Sequence, residues 1–277
     1  MSIVAQTTIK EPVSYNGIGL HAAHEVHMVL RPAPANTGIV FVRTDLPGHP
    51  SVRAHLTNIT NTMRATTLED GAAKVFTVEH ILSAFMGLGV DNCIVEMDSV
   101  EPPVADGSSL TFVRLIEQVG IQTLDAPRRI LTIKKQHLVE DNDKFIAILP
   151  YDGFRITFTS IKNHPLLGVQ FFDAEITKES YIKEVSFART IAFTDELEML
   201  KKLGLGKGGT LQNTIVYDDK TCLSKLRSDD ELVRHKVLDV IGDLSLVGMP
   251  IKGHVIAVKS SHKLNSLLTH KIAEELA

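Results

Sequence analysis

The order of elements legible along this 277-residue chain runs twice, and that repetition limits the fold more than any single motif does. In residues 1–60, TTIKEPVSY, EVHMVLRP and GIVFVRTD alternate apolar and polar positions between Asn-Gly and Pro-rich breaks, which predicts strands. Residues 76–88 place Phe76, Val78, Ile81, Leu82, Phe85 and Met86 at helical spacing, with Thr77 as N-cap candidate and Gly87 and Gly89 at the end. A strand over 92–97 follows. EPPVADGSS then supplies turn and cap residues, Asp106 and Ser108, for a helix over 110–119. Near DAPR (125–128) the pattern restarts. RRILTIKK, DKFIAILPYDG and FRITFTSIK read as strands, and a helix is expected over 230–247. Gly253, the strand HVIAVK and a last helix opening at Ser260 or Ser261 complete it. The expectation is an α+β fold of two similar two-layer sheet/helix sandwich domains, 1–126 and 127–277. Facing each other about a pseudo-twofold axis, they bring His80 and His235 together at their interface, where small-molecule sites form.

The stretch ELVRHKVLDVIGD (231–243) interrupts an apolar helix with His235, Lys236, Asp239 and Asp243. At about 100° per residue from His235, Asp239 falls near ~40°, Asp243 near ~80° and Lys236 near ~100°. These flank a core face of Val233, Val237, Val240 and Leu244 centred near ~170°, and Arg234, Gly242 and Ser245 take the solvent side. His and Asp four residues apart can reach one cation, as in zinc-binding helices, although an ordinary polar pair has the same spacing. Glu79 and His80 add a carboxylate and an imidazole from the first turn of the earlier helix. Two imidazoles, one carboxylate and an open fourth position describe catalytic zinc. A structural site would close with cysteine, and neither Cys93 nor Cys222 has suitable spacing. The denser cluster of His21, His24 and His27 is a poorer candidate, because on a strand His24 and His27 face opposite ways. His21 stays open.

Composition excludes other classes. A formal charge of −4 without any Lys/Arg cluster argues against nucleic acid. Two cysteines give no disulfide framework and point to a reducing, cytoplasmic compartment; Cys93, within CIVEM, reads as buried and inert. No apolar run approaches the ~18 residues of a transmembrane span, and the N-terminus lacks a basic-then-apolar leader. GLGKGGT departs from the phosphate-loop pattern and follows a helix, so Gly204 reads as a C-cap.

GIGLH (17–21), LRPAPANTGIVF (30–41), TVEH (77–80), DGSS (106–109), SFARTIAF (186–193), RHKVLDVIGDL (234–244) and KSSHKLN (259–265) together closely resemble one family. It is that of the UDP-3-O-acyl-N-acetylglucosamine deacetylases, zinc amidases of the committed step of lipid A biosynthesis in Gram-negative bacteria. The likeness spans essentially the whole chain, and TVEH combined with HKxLDxxGD is its most specific part. It implies an active site between two α+β domains, with an insert around 191–220 forming an acyl passage. It implies His80, His235 and Asp239 as ligands of a single Zn2+ per chain, a set that Fe2+ could also occupy. Glu79 is the implied general base, Thr190 the hydroxyl at the oxyanion and Lys236 a nearby cation. His262 is the implied acid for the leaving amine, with Asp243 as its carboxylate partner. The implied substrate is a nucleotide sugar carrying a fatty-acyl chain, and His21, Lys144, Lys259 and Ile191 are candidate contacts to it. A monomer is expected. Two positions depart from the family: Ala65 stands where a cysteine is sometimes found, and Ile191 replaces the aromatic after ART.

In that chemistry zinc drops the pKa of its water toward ~7, Glu79 takes the proton, and Thr190 and Lys236 meet the oxyanion. A helix N-terminus disfavours a charged His262, and Asp243 favours it. Two other readings remain open, a zinc hydrolase of the same fold with another N-acyl substrate and a structural metal joining two domains. Glu79 separates the last from the others, since a structural site needs no carboxylate beside its ligand.

Overall fold

The computed structural model describes residues 4–276. Strands Val13–Ile18 (β1), Glu25–Pro32 (β2), Ile39–Arg43 (β3), Ser51–Arg53 (β4) and Cys93–Met97 (β5) form a sheet in the order β1-β2-β5-β3-β4. Strands His137–Asp141 (β6), Lys144–Leu149 (β7), Phe154–Lys162 (β8), Gly168–Glu175 (β9) and Ile251–Val258 (β10) repeat that order as β6-β7-β10-β8-β9. In each sheet the strand that comes last in the sequence lies in the centre. β5 runs antiparallel to β2 and parallel to β3, and β10 does the same with β7 and β8. The α+β reading therefore holds down to strand connectivity. We propose 126–127 as the division between the domains, at the end of strand Ile121–Pro127, which pairs back onto Ala5–Ile9.

Helix Glu79–Leu88 (α1) precedes β5, and helix Glu231–Leu244 (α3) precedes β10; Leu110–Val119 (α2) and His262–Ala273 (α4) follow them. Alternation explains the layers: along β10, Ile251, Gly253, Val255 and Ala257 are buried and the residues between them are half-buried, so one sheet face meets the helices. A continuous core including Phe41, Leu82 and Phe85 on one side and Phe158, Leu238 and Ile241 on the other joins the halves. Among the described residues no helix is long and apolar enough to cross a membrane.

The structure changes two sequence readings. Gly242 does not face solvent; it is buried where α3 crosses α1, because a second helix packs on the side that a wheel of α3 alone assigns to water. The first helix starts at Glu79, since Ala73–Phe76 is a strand, and Thr77 is not its cap. Thr77 has a left-handed φ of +58°, and its hydroxyl donates to the buried Glu101 carboxylate at 2.8 Å. Elsewhere Ser261 caps its helix as expected, whereas the cap position of α2 falls on Ser109, which makes no side-chain capping bond, one residue after the expected Ser108. The Ser108 hydroxyl accepts from the Leu110 amide at 3.1 Å, the Ser261 hydroxyl accepts from that of Leu264, and Gly204 turns left-handed after helix Leu197–Lys202. Cys93 is buried, which pushes its thiol up to about 12.

Candidate metal and catalytic site

The start of α1 and the middle of α3 meet with the His80 and His235 rings 5.1 Å apart, edge to face. His235 Nδ1 donates to the Ala188 carbonyl at 3.1 Å, which fixes the tautomer and turns Nε2 toward Asp239. Asp239 Oδ2 accepts from Lys236 Nζ at 2.7 Å. Its Oδ1 is buried and accepts no hydrogen bond among the described residues, with His235 Nε2 3.4 Å away. One ligand atom from each of His80, His235 and Asp239 lies within 4.8 Å of the others. A bare buried carboxylate oxygen facing two imidazoles is an arrangement that a cation would complete. Burial lowers His80 to about 4 and His235 to about 3, so both rings are neutral and keep a lone pair. Burial also opposes the charge on Asp239, but His235 and Lys236 outweigh it and hold that carboxyl well below the usual range.

Glu79, at the start of α1, is buried, and its Oε2 accepts from the Thr66 amide at 3.1 Å. Burial pushes its carboxyl up to about 8, against the pull of His262. His262 opens α4; its Nδ1 donates to Asp243 Oδ2 at 2.8 Å, and its Nε2 lies 3.9 Å from Glu79 Oε1 and 4.0 Å from Asp239 Oδ2. Burial works against the imidazolium, but Asp243, Asp239 and Glu79 prevail and raise it to about 10. The carboxylates thus outweigh whatever the helix N-terminus contributes.

These groups open onto a cavity of about 990 Å³. Glu79, His80, His235, Lys236, Asp239 and His262 line it, as do Thr190, Ile191, Lys144, Lys259 and His21; Asp243 sits behind His262. The Thr190 amide donates to the Gly107 carbonyl at 2.8 Å, which anchors strand Thr190–Phe193 beside Thr214–Tyr217. Leu197, Leu200, Leu205, Leu211 and Leu223 give the cavity an apolar side within and just beyond the expected insert. Two candidate contacts are engaged elsewhere. Lys259 Nζ pairs with Asp143, and His21 Nδ1 accepts from the Gly206 amide at 3.1 Å, tying GIGLH to GLGKGGT. Burial lowers His21 to about 4, consistent with a neutral acceptor ring.

Sequence reasoning missed several supporting residues. Asp243 Oδ1 accepts from Thr66 Oγ1 at 2.6 Å, and Oδ2 also accepts from Asn265 Nδ2 at 2.8 Å. Glu231, buried at the start of α3, accepts from Arg189 Nε at 2.9 Å and from the Arg227 amide at 2.7 Å, which fastens the ART segment to the helix. An arginine inside the mostly apolar SFARTIAF was the one available signal; its partner lies 42 residues on.

The model of the UDP-3-O-acyl N-acetylglycosamine deacetylase family matches residues 6–274. Similar proteins named UDP-3-O-acyl-N-acetylglucosamine deacetylase include that of Colwellia psychrerythraea, 46% identical over 98% of this chain and 90% of its own length. That of Syntrophus aciditrophicus is 43% identical over 98% of this chain and 86% of its own. That of Myxococcus xanthus is 42% identical over 98% and 87%. By a match that runs through both sheets and every residue of the cavity wall, the chain belongs to the UDP-3-O-acyl N-acetylglycosamine deacetylase family.

Proposed function

We propose that this chain hydrolyses the N-acetyl group of UDP-3-O-acyl-N-acetylglucosamine, giving UDP-3-O-acyl-glucosamine and acetate, in the cytoplasm of a Gram-negative cell. This is the committed step of lipid A biosynthesis. The observation that carries the reading is the bare Asp239 Oδ1 beside two neutral imidazoles, with Glu79 next to them on the wall of a half-apolar cavity. His80, His235 and Asp239 would hold a single Zn2+, with Fe2+ as the other ion that suits this donor set. When bound, such an ion supplies a Lewis acid that polarises the acetyl carbonyl and acidifies water.

The chain's own groups divide the remaining work. Glu79 removes the proton of the attacking water in its ionised form, which the positive charge of a cation held on His80, His235 and Asp239 would favour. Thr190 Oγ1 and Lys236 Nζ donate toward the oxygen that gains charge as the carbonyl becomes tetrahedral. His262, held charged by its three carboxylate neighbours, gives a proton to the sugar nitrogen as the C–N bond breaks, so the amine leaves neutral. Asp243 orients that ring and stays ionised. Leu200, Leu205, Leu211, Leu223 and Ile191 accommodate the acyl chain, and Lys144 and Lys259 meet the diphosphate. His21 shapes the wall by holding the Gly206 loop.

A metal that only staples the halves would leave Glu79 unexplained, because a buried carboxyl with a strongly raised pKa costs stability. The test is acetate release from UDP-3-O-acyl-N-acetylglucosamine, and from the same nucleotide sugar without the acyl chain, with and without chelator. Release that needs both metal and acyl chain is expected. Equal turnover of the unacylated sugar would shift the assignment to another N-acyl substrate, and no turnover of either would leave the structural reading.

A further inference from the structure

We propose that Thr66 is a positioning residue that registers the base of one half of the molecule against the acid of the other, a role that rests on the catalytic reading above. Thr66 lies just before strand Thr67–Asp70 and is buried. It touches both carboxylates at once: its amide donates to Glu79 Oε2 at 3.1 Å and its hydroxyl to Asp243 Oδ1 at 2.6 Å. Asp243 Oδ2 holds His262 Nδ1, and His262 Nε2 returns to within 3.9 Å of Glu79 Oε1. The four residues therefore close a ring. Thr66 and Glu79 come from the first half, Asp243 and His262 from the second.

The Thr66 hydroxyl is the one hydrogen-bond donor recorded for Asp243 Oδ1 among the described residues. A short bond to an ionised acceptor is among the stronger kinds, and it fixes the rotation of the carboxylate about its own axis. Without it a buried charged oxygen loses its partner, and Asp243 turns with the His262 ring it orients. Because one residue grips both carboxylates, a shift of α3 relative to α1 is passed to base and acid together. Asn265 does not substitute, since it donates to Oδ2.

The test uses metal-loaded enzyme and compares Thr66→Val, which keeps the shape and removes the hydroxyl, with Thr66→Ser, which keeps the hydroxyl. Thr66→Val should lower kcat about tenfold or more with KM nearly unchanged, the scale of one hydrogen bond to a charged group. Thr66→Ser should recover most of that loss. In an Asp243→Asn background, Thr66→Val should cost little more. An unchanged kcat in Thr66→Val, equal impairment of Thr66→Ser, or fully additive losses in the double variant would each overturn the proposal. Should Thr66→Val fail to fold, Thr66→Cys, whose thiol is a weak donor, takes its place in every comparison. If the unaltered enzyme releases no acetate, the deacetylase reading fails on its own. The ring is then read from the 15N signals of His262, which should broaden in Thr66→Val and stay sharp in Thr66→Ser; unaltered signals in both would overturn it.

Discussion

Gly242 of α3 lies against the main-chain oxygen of Glu79 in α1, so closely that a Cβ at position 242 would stand 2.1 Å from it. The helix with the proposed base and the helix with two proposed ligands meet backbone to backbone. Gly242→Ala forces them apart and should destabilise the protein by roughly 3 kcal/mol. It should also weaken metal retention, because His80 moves away from His235 and Asp239. Urea unfolding with and without added zinc checks both; an unchanged midpoint would mean that the helices separate without strain.

Removing a proposed ligand should abolish metal binding without unfolding the chain. His80→Ala and Asp239→Ala are each expected to purify with much less metal than the unaltered protein, as measured by elemental analysis. Full occupancy in both variants would assign the ion to other groups.

Glu79→Gln keeps the size of the side chain and removes its basicity. Metal content should persist while kcat falls by about 10²–10⁴, the usual range for a general base. Undiminished acetate release would take Glu79 out of the reaction.

The buried histidines set a pH dependence for the metal-free protein. His21 and His80 fall to about 4 and His235 to about 3, so each binds its proton less readily when folded than when unfolded. Their contribution is fully present above about 6.5 and is lost as pH falls toward 4. Glu79, raised to about 8, acts oppositely and favours the folded state as pH falls toward its ordinary value. His262, raised to about 10, is protonated in both states once pH is below its ordinary value and adds no slope there. Burial raises the Glu101 carboxyl as well, and the three imidazoles outweigh the two carboxyls. Stability should therefore drop between pH 6.5 and 5, and His21→Gln should flatten the drop by about 1.4 kcal/mol per pH unit. Urea midpoints at pH 7, 6 and 5 decide it, and a midpoint that climbs on acidification contradicts the account.

The doubled fold and the polar flank of α3 were legible because both are periodic. Repeating strand and helix patterns fixed the pairing of halves, and that pairing made His80 and His235 neighbours before any distance was known. Gly242 was misread because a helical wheel orders residues about one axis and carries no information on a second helix crossing it. Thr77 has the chemistry of a cap, but Glu101, 24 residues later, takes its hydroxyl. Thr66 and Asn265 were invisible for the same reason. Their bonds to Asp243 span 177 and 22 residues, and a contact made only by tertiary closure leaves no local spacing to read.

The repeated sheets also have a thermodynamic consequence. With His80 supplied by one half and His235 and Asp239 by the other, an ion shared among them is bound through the docking of the halves as much as through its ligands. Docking and ion binding then belong to one linkage cycle, and whatever factor zinc adds to the affinity between halves, their association adds to the affinity for zinc. Fragments 1–126 and 127–277, mixed in solution, should associate more tightly with zinc than without it. If the two constants are equal, the ion and the seam between the halves are energetically independent.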